Sequence, residues 1–382
     1  MTPAARLSAA IEVLDRVLTG AAPEVVLTNW GRANRFAGSG DRAAIRDLVY
    51  DCLRCKRSFA ALGGAMTGRG LVLGGARAGG YEALFDGQGH APAPVTPDEA
   101  GHAPEGLAAL DCPDWLAPEL QSALGDDFPA VMQALRHRAP VFLRVNLART
   151  TPEAAIVALA EEGIVAVPHP LASSALEVTG NARKIQTGAA YAAGLVELQD
   201  AASQAVVEAL PLRDGMRVLD YCAGGGGKTL AMAARARLTL FAHDANVARM
   251  SDLPARAKRA GAKVTISEDA AKSAPYDLIL TDVPCSGSGS WRRDPQGKWA
   301  LTPEKLAEVA RSQAAILDKV APLVAPKGVL AYATCSMLAA ENEAQVAGFV
   351  ARNPGWQQMA ARRFTPLDGA DGFFIAMLTR KD

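Results

Sequence analysis

The chain has 382 residues, 49% of them hydrophobic and 21% charged, and this composition excludes a largely disordered protein. Its 40 Lys and Arg residues balance 40 Asp and Glu residues, so the net charge of zero excludes binding to nucleic acid through bulk charge alone. A chain of this length favours two or three domains.

The N-terminal sequence predicts an amphipathic helix, because Glu12 and Asp15 interrupt its apolar positions and thereby exclude a signal peptide. No run of about 18 apolar residues occurs, so no transmembrane span is expected. The six cysteines are too few for a disulfide scaffold in a chain of this size. We therefore expect a cytoplasmic protein that has no membrane partner.

Residues 1–75 are expected to form an all-α domain. Leu7, Ile11 and Leu14 recur at three- and four-residue spacing and form one apolar helix face. Basic residues outnumber acidic ones by five over residues 32–69, whereas the segment that follows is acidic. This charge pattern allows two hypotheses, which are contact with the phosphate backbone of RNA and an ordinary solvated helix face.

The next part of the chain predicts a linker and then a small domain. Residues 76–110 are rich in Gly, Pro and Ala without periodicity, which is typical of a linker. Residues 111–195 predict a small α+β unit, with a strand at 141–148 and a helix that begins at Thr151-Pro152 and ends at Gly163.

Residues 196–382 alternate between apolar strands and helices, which predicts an α/β domain with a parallel sheet and helices on both faces. One long helix is expected to begin at Thr302-Pro303. The predicted strands are 216–222, 238–244, 263–267, 276–284, 328–336 and 373–379.

A glycine cluster from Gly224 to Gly227 follows the first of these strands and opens a helix, so the backbone there can closely approach a ligand. Asp244 ends the next strand, 17 residues beyond Gly227, where an acidic side chain can bind a ribose diol. The P-loop pattern is excluded, because it requires a glycine where Cys222 stands. A dinucleotide and S-adenosylmethionine (SAM) remain as alternative ligands.

Two cysteines follow predicted strands, Cys285 in Asp282-Val283-Pro284-Cys285 and Cys335 directly after Thr334. Open α/β sheets place their ligands at the carboxyl ends of parallel strands, so this pair indicates nucleophilic chemistry. Buried structural cysteines are one alternative, and a redox pair that lacks Cys-x-x-Cys spacing is another. Cys52 and Cys55 have that spacing but no second pair, so no zinc site is expected.

The region 196–382 resembles the RsmB/Sun-type RNA cytosine-5 methyltransferases. The resemblance rests on five stretches that occur in family order: LQDAASQAVVEAL, VLDYCAGGGGKT, DLILTDVPCSGSGSWRRDP, YATCSMLAAENEAQV and DGFFIAML. RVNLARTTPEAAIVALAEEGI is similar to the small α+β unit that precedes the domain, and the first 70 residues are similar to the NusB-like domain of bacterial 16S rRNA members. The resemblance implies a Rossmann-like SAM-dependent methyltransferase domain preceded by these two units.

The resemblance also implies roles for individual residues. Cys335 matches the nucleophile of the family, Cys285 the second cysteine linked to product release, and Asp282 the acid of the Asp-x-Pro-Cys motif. Gly224-Gly225 stands where the family usually has Ala-Pro. The residues that match the cofactor site of the family are Cys222, Ala223, Gly224, Gly225, Gly226, Gly227, Lys228, Asp244, Asp269 and Asp282.

The implied reaction begins with a cysteine thiolate that adds to C6 of cytosine, so that C5 can take the methyl group from SAM. A protonated Asp282 would bind N3 of the base, which requires a raised pKa. A cluster after Cys285 is expected to contact RNA phosphates and bases, with ordinary surface and core roles as the alternative. Its members are Trp291, Arg292, Arg293, Lys298 and Trp299.

Together these features predict a monomeric SAM-dependent enzyme, without a metal ion, that forms 5-methylcytosine in RNA, and 16S rRNA is the implied substrate. One alternative is the same reaction on tRNA. A second alternative, of another class, is an RNA-binding adaptor without catalysis, since the glycine loop departs from the family pattern.

Overall fold

The computed structural model describes residues 1–381, which form helices, strands and short 3-10 turns. The helices are α1 (Pro3–Leu18), α2 (Pro23–Ala33), α3 (Ser39–Arg54), α4 (Lys56–Gly63), α5 (Gly68–Gly79), α6 (Gly106–Ala109), α7 (Ala117–Leu124), α8 (Phe128–Leu135), α9 (Pro152–Glu161), α10 (Ala189–Ala192), α11 (Ala201–Glu208), α12 (Gly227–Ala233), α13 (Leu253–Ala260), α14 (Pro295–Ala300), α15 (Pro303–Val320) and α16 (Glu343–Arg352).

The strands include every one predicted from sequence in residues 196–382. They are β1 (Val141–Val145), β2 (Val165–Pro168), β3 (Ala175–Gly180), β4 (Val196–Leu198), β5 (Arg217–Asp220), β6 (Thr239–Ala242), β7 (Thr265–Ile266), β8 (Tyr276–Asp282), β9 (Val324–Thr334), β10 (Trp356–Phe364) and β11 (Phe373–Arg380). None of the helices within residues 1–381 combines the length and the apolarity needed to cross a bilayer.

Thr-Pro pairs begin both helices for which the sequence predicts this start. The Thr151 side chain accepts a hydrogen bond from the Ala154 N–H, and the Thr302 side chain accepts one from the Lys305 N–H, each at 3.3 Å. The threonine satisfies a free N–H of the first turn, and the following proline has no N–H to satisfy. The start of α9 and the start of α15 are therefore confirmed.

The chain divides into two compact units, and the first comprises residues 1–138 together with residues 291–300. This unit is helical, and α1, α3 and α5 pack around a core that includes the fully buried Leu14, Ile45 and Leu71. Helix α5 ends at Gly79, beyond the boundary predicted at residue 75. The division into four domains and the NusB-like description of the first remain predictions.

Ion pairs inside the first unit join its basic stretch to its acidic one. Arg57 Nη1 lies 2.7 Å from Asp114 Oδ1, and Arg69 Nε lies 2.5 Å from Glu99 Oε1. The charge excess of residues 32–69 is therefore partly neutralised within the unit itself.

The second unit comprises residues 139–290 and 301–382 and contains two sheets. The smaller sheet has the order β2-β3-β1-β4, with antiparallel pairing throughout. With α9 after β1 and α10 after β3, the chain follows the β-α-β-β-α-β order of a ferredoxin-like fold. Its last strand, β4, begins at Val196, just beyond the boundary predicted at residue 195.

The larger sheet has the order β10-β11-β9-β8-β5-β6-β7. Strands β5 to β9 are parallel, and β11 pairs antiparallel with both β9 and β10. The buried Leu219, Ile279 and Leu330 form part of its core. Because β5 lies between β6 and β8, the strand order reverses at β5, and ligands of such sheets bind at the carboxyl ends near this point.

Candidate active site

A cavity of about 500 Å³ lies at the carboxyl ends of β5 and β8, beside the residue that follows β9. It brings together the glycine loop, the Asp-x-Pro-Cys motif and both cysteines that the sequence singled out. Its lining residues are Gln199, Ser203, Asp220, Cys222, Ala223, Gly224, Gly225, Gly227, Lys228, Arg249, Asp282, Val283, Pro284, Cys285 and Cys335.

The glycine loop requires glycine at two positions. Gly224 has φ +49° and Gly226 has φ +78°, both in the left-handed region that residues with a Cβ rarely adopt. A Cβ at Gly226 would also lie 2.2 Å from the Leu253 side chain. The loop therefore turns tightly between β5 and α12, and its backbone forms part of the cavity wall.

Asp244 contacts this loop but is not among the residues that line the cavity. Its Oδ2 accepts the Gly224 N–H at 2.9 Å, and its Oδ1 accepts the Asn246 N–H at 2.9 Å. Asp269 is exposed and its Oδ1 accepts the Ala271 N–H of a 3-10 turn, so the structure does not bring it to the cavity. The cofactor roles of both residues remain predictions.

Asp220, at the end of β5, is a cavity residue that the sequence analysis missed. Its Oδ2 accepts the Thr229 Oγ1–H at 2.6 Å, whereas its buried Oδ1 has no hydrogen-bond partner within residues 1–381. Burial raises the pKa of Asp220 to about 7. A signal was present, because an acidic residue ends an apolar strand just before the glycine loop.

Lys228 and Asp282 form an ion pair in the cavity wall, with Nζ and Oδ2 2.6 Å apart. Burial opposes the charge of Lys228, but attraction to Asp282 outweighs it and raises the Lys228 pKa. An adjacent ammonium stabilises the ionised carboxylate. The role of a protonated Asp282, which the resemblance implies, remains a prediction.

The two cysteines lie in contact, with their sulfur atoms 3.1 Å apart. The hydrogen bond to Cys335 and burial raise the pKa of Cys285, and either sulfur can be the donor in this contact. Lys228 lines the same cavity as both cysteines. The nucleophilic role of Cys335 and the release role of Cys285 remain predictions.

Two family models match this chain. The model for 16S rRNA methyltransferase RsmB/F matches residues 207–379, and the model for the RsmF/B-like ferredoxin-like domain matches residues 112–185. The chain belongs to the RsmB/F methyltransferase family. The family predicted from the sequence is therefore confirmed.

Two curated relatives of this RsmB/F chain have the same name. Ribosomal RNA small subunit methyltransferase B of Salmonella arizonae is 34% identical over 285 residues, and the protein of that name from Citrobacter koseri is 33% identical over 285 residues. Each alignment covers 70% of this chain and 66% of the relative. The chain thus spans about two thirds of the length of the curated relatives it matches.

Solved structures similar to this RsmB/F chain share its fold at lower identity. PH0851 is 22% identical with a TM-score of 0.76, over 100% of this chain and 99% of that one. NSun6 from Pyrococcus horikoshii, solved with SFG, is 20% identical with a TM-score of 0.62, over 71% of this chain and 99% of that one. The predicted Rossmann-like methyltransferase fold is confirmed.

The cluster after Cys285 packs inside the first unit of this RsmB/F chain. The Trp299 Nε1–H donates to the Leu53 carbonyl at 2.7 Å, and Lys298 Nζ donates to the Arg54 carbonyl at 3.3 Å. Burial lowers the pKa of Lys298 to about 8. Trp291, Arg292 and Lys298 are buried, so the prediction that they contact RNA is wrong.

Within residues 1–381, the RsmB/F chain has no group of three or more His, Cys, Asp or Glu side chains that could hold a metal ion.

Proposed function

We propose that this protein transfers a methyl group from SAM to C5 of a cytosine in 16S rRNA, with Cys335 as the nucleophile. The observation that carries the proposal is the contact between Cys335 and Cys285, 3.1 Å apart, in the wall of the cavity that also contains the glycine loop. The names of the curated relatives, which describe small-subunit rRNA methyltransferases, support this choice of substrate.

The residues of the cavity fit SAM. The buried Asp220 Oδ1 has no partner within residues 1–381 and can accept from a cationic or N–H group of the cofactor. The glycine loop exposes backbone rather than side chains to a ligand. When bound, SAM supplies an electrophilic methyl group.

The cysteines divide the covalent chemistry between them. The Cys335 thiolate adds to C6, which moves the electron pair of the C5–C6 bond to C5 and makes that carbon nucleophilic toward the methyl group. After methyl transfer, C5 loses its proton, the double bond re-forms and the Cys335 thiolate leaves. Cys285 assists this last step, because its thiol can donate a hydrogen bond to the sulfur that is leaving.

The Lys228–Asp282 pair supplies the acid–base groups of the cavity wall in this proposal. As a carboxylate beside the Lys228 ammonium, 2.6 Å away, Asp282 can accept the C5 proton.

The first unit is the candidate RNA-docking unit, although most of its basic stretch is engaged internally. Arg32 in the last turn of α2 and Arg35 in the loop that follows are exposed, and neither makes an ion pair within residues 1–381. Phe36, next in the chain, is 72% exposed. Two guanidinium groups beside an exposed ring suit an unpaired RNA segment, whose phosphates and bases they can contact.

A methylation assay with bisulfite sequencing tests the proposed reaction. The protein is incubated with SAM carrying a labelled methyl group and with separate 16S rRNA and tRNA substrates. We expect label in 16S rRNA and protection of one cytosine from bisulfite conversion. Label in tRNA alone would support the tRNA alternative, and SAM binding without label in either RNA would support the adaptor.

Asp244→Ala is expected to weaken SAM binding by about tenfold to a hundredfold, roughly 1.4–2.8 kcal/mol, as expected for the loss of a charge-assisted contact. The carboxylate also holds the Gly224 N–H, so the substitution loosens the loop that forms the cavity wall. Isothermal titration with SAM measures the effect without RNA.

Asp252→Ala is the matched control, because this exposed acid does not line the cavity. Asp269→Ala in the same titration tests the implied adenine contact, and we expect it to weaken binding less than Asp244→Ala. Unchanged affinity in a folded Asp244→Ala variant would remove Asp244 from the cofactor site.

A further inference from the structure

The two cysteine loops share one buried carboxylate, that of Glu341. Glu341 ends the 3-10 turn Ala339–Glu341 that follows β9, and it is 0% exposed. Its Oε1 accepts the Ser286 N–H at 2.7 Å, and its Oε2 accepts the Ser286 hydroxyl at 2.5 Å and the Ser336 hydroxyl at 2.5 Å. Each serine directly follows one of the two cysteines.

A fourth donor joins this network from α15. Gln313 Nε2 donates to Glu341 Oε1 at 3.0 Å and to the Pro284 carbonyl at 2.9 Å. Pro284 precedes Cys285, so the Cys285 loop is held on both sides of the cysteine. Four donors therefore bind the two oxygens of the Glu341 carboxylate. These hydrogen bonds replace those that water would make, so the side chain can be buried.

The sheet alone does not hold the cysteines together. The parallel pairing of β8 and β9 ends at Asp282 and Ala333, and each cysteine lies beyond that point. Past the ladder, a backbone bond from the Gly289 N–H to the Cys335 carbonyl at 2.9 Å joins the two loops. Ser288 adds a side-chain link, because its Oγ accepts the Met337 N–H at 2.8 Å. Glu341 adds another, and it is the one that binds the residue directly after each cysteine.

We propose that Glu341 is a positioning residue that holds Cys285 and Cys335 in contact by accepting hydrogen bonds from Ser286 and Ser336. The consequence for methyl transfer rests on the proposed function. Loss of the link separates the sulfur atoms, and displacements of about 1 Å in an active site can lower a rate by about a hundredfold.

Disulfide formation with diamide measures the contact of the two thiols without any methylation. Two thiols give up two electrons and two protons to the N=N bond of diamide and form one S–S bond, whose rate depends on how often the sulfur atoms meet. Mass spectrometry under non-reducing conditions identifies the Cys285–Cys335 peptide pair.

Three variants separate the hydrogen bonds from the charge. Glu341→Leu and the double variant Ser286→Ala with Ser336→Ala both remove the hydrogen bonds from the two serine hydroxyls to Glu341, and we expect each to slow disulfide formation by about tenfold or more. Glu341→Gln keeps an oxygen that can accept the Ser286 N–H, and its NH2 group can donate to the Ser286 and Ser336 hydroxyl oxygens. As the conservative replacement, it is expected to restore the rate to within a few-fold of wild type. A positioning role predicts that the rate of disulfide formation depends on the presence of these hydrogen bonds. A merely structural role predicts that the rate depends on the stability of the fold.

Thr281→Val is the matched control, because the Thr281 hydroxyl is buried and donates to the Ala331 carbonyl between the same two strands. We expect it to leave the disulfide rate unchanged.

In the methylation assay, the double serine variant is expected to lower kcat by about a hundredfold with little change in KM for SAM.

Wild-type disulfide rates in a folded double serine variant would overturn the positioning role, and this variant decides the question even if Glu341→Leu fails to fold. If the disulfide rate falls as expected but the wild-type protein methylates no RNA, the positioning role stands and the proposed function fails. If the wild type methylates RNA and the double serine variant matches it in both assays, only the positioning role fails.

Discussion

Cys335→Ala is expected to abolish methyl transfer, because no thiolate remains to add to C6 and C5 alone is a poor nucleophile. The variant is expected to bind SAM and RNA like the wild type, since neither contact requires the thiol. Loss of label in the methylation assay with unchanged SAM affinity by titration is the result that supports the nucleophile assignment.

Cys285→Ala is expected to give a different result. Attack and methyl transfer remain possible, but the departing thiolate loses the hydrogen bond from a sulfur 3.1 Å away. The variant should therefore accumulate a covalent protein–RNA adduct through Cys335, seen as a slower band on a denaturing gel. The double variant, without either thiol, should give no adduct.

The competing assignment makes Cys285, the cysteine of the Pro-Cys motif, the nucleophile. It predicts the reverse pattern, with adduct in Cys335→Ala and none in Cys285→Ala, and that result would overturn our assignment. We assign the nucleophile role to Cys335 because it matches the nucleophile of the family that the sequence resembles. Adduct in neither single variant would remove the release role from Cys285.

The sequence was sufficient to predict the parallel part of the larger sheet. Strands β5, β8 and β9 are apolar because they are buried between neighbouring strands and helices, so their residues stand out in the sequence. Strand β10 was missed for the opposite reason. It lies at the sheet edge and pairs only with β11, and residues 357–362 are exposed, so its sequence carries no apolar pattern.

The site was predicted where motifs are local and missed where contacts are long-range. The glycine loop and both cysteines line one cavity, as strand ends in a parallel sheet allow. Glu341 binds Ser286 across 55 positions of sequence, and no spacing rule connects them. Lys298 and Trp291 are residue types that often contact RNA, so the sequence suggests a surface role for them. Only the packing of the first unit shows that both side chains are buried in its core.

The RNA-docking prediction concerns Arg32, Arg35 and Phe36. Replacing all three by alanine is expected to weaken RNA binding by about a hundredfold, since stacking on an aromatic ring contributes about 1–3 kcal/mol per base. The loss of two phosphate contacts should also reduce the slope of log affinity against log salt by about 1.4 for a single strand. Binding of the 16S rRNA substrate at several salt concentrations measures both effects.

Point substitutions test this surface better than deletion of residues 1–75. Such a deletion would cut within α5 and remove Leu14, Ile45 and Leu71 from the core of the first unit, so lost binding would have no single cause. The three side chains named above are exposed, and their replacement leaves that core intact.

The charge-matched control is Arg311→Ala with Lys319→Ala, two exposed basic residues on α15. If the salt slope falls only in the Arg32 and Arg35 variant, these two guanidinium groups contact phosphates. If both variants lower the slope equally, the effect is one of net charge. Phe36→Ala alone then measures the contribution of stacking to RNA affinity. Its effect should persist at high salt, because the attraction between a ring and a base is not screened by ions.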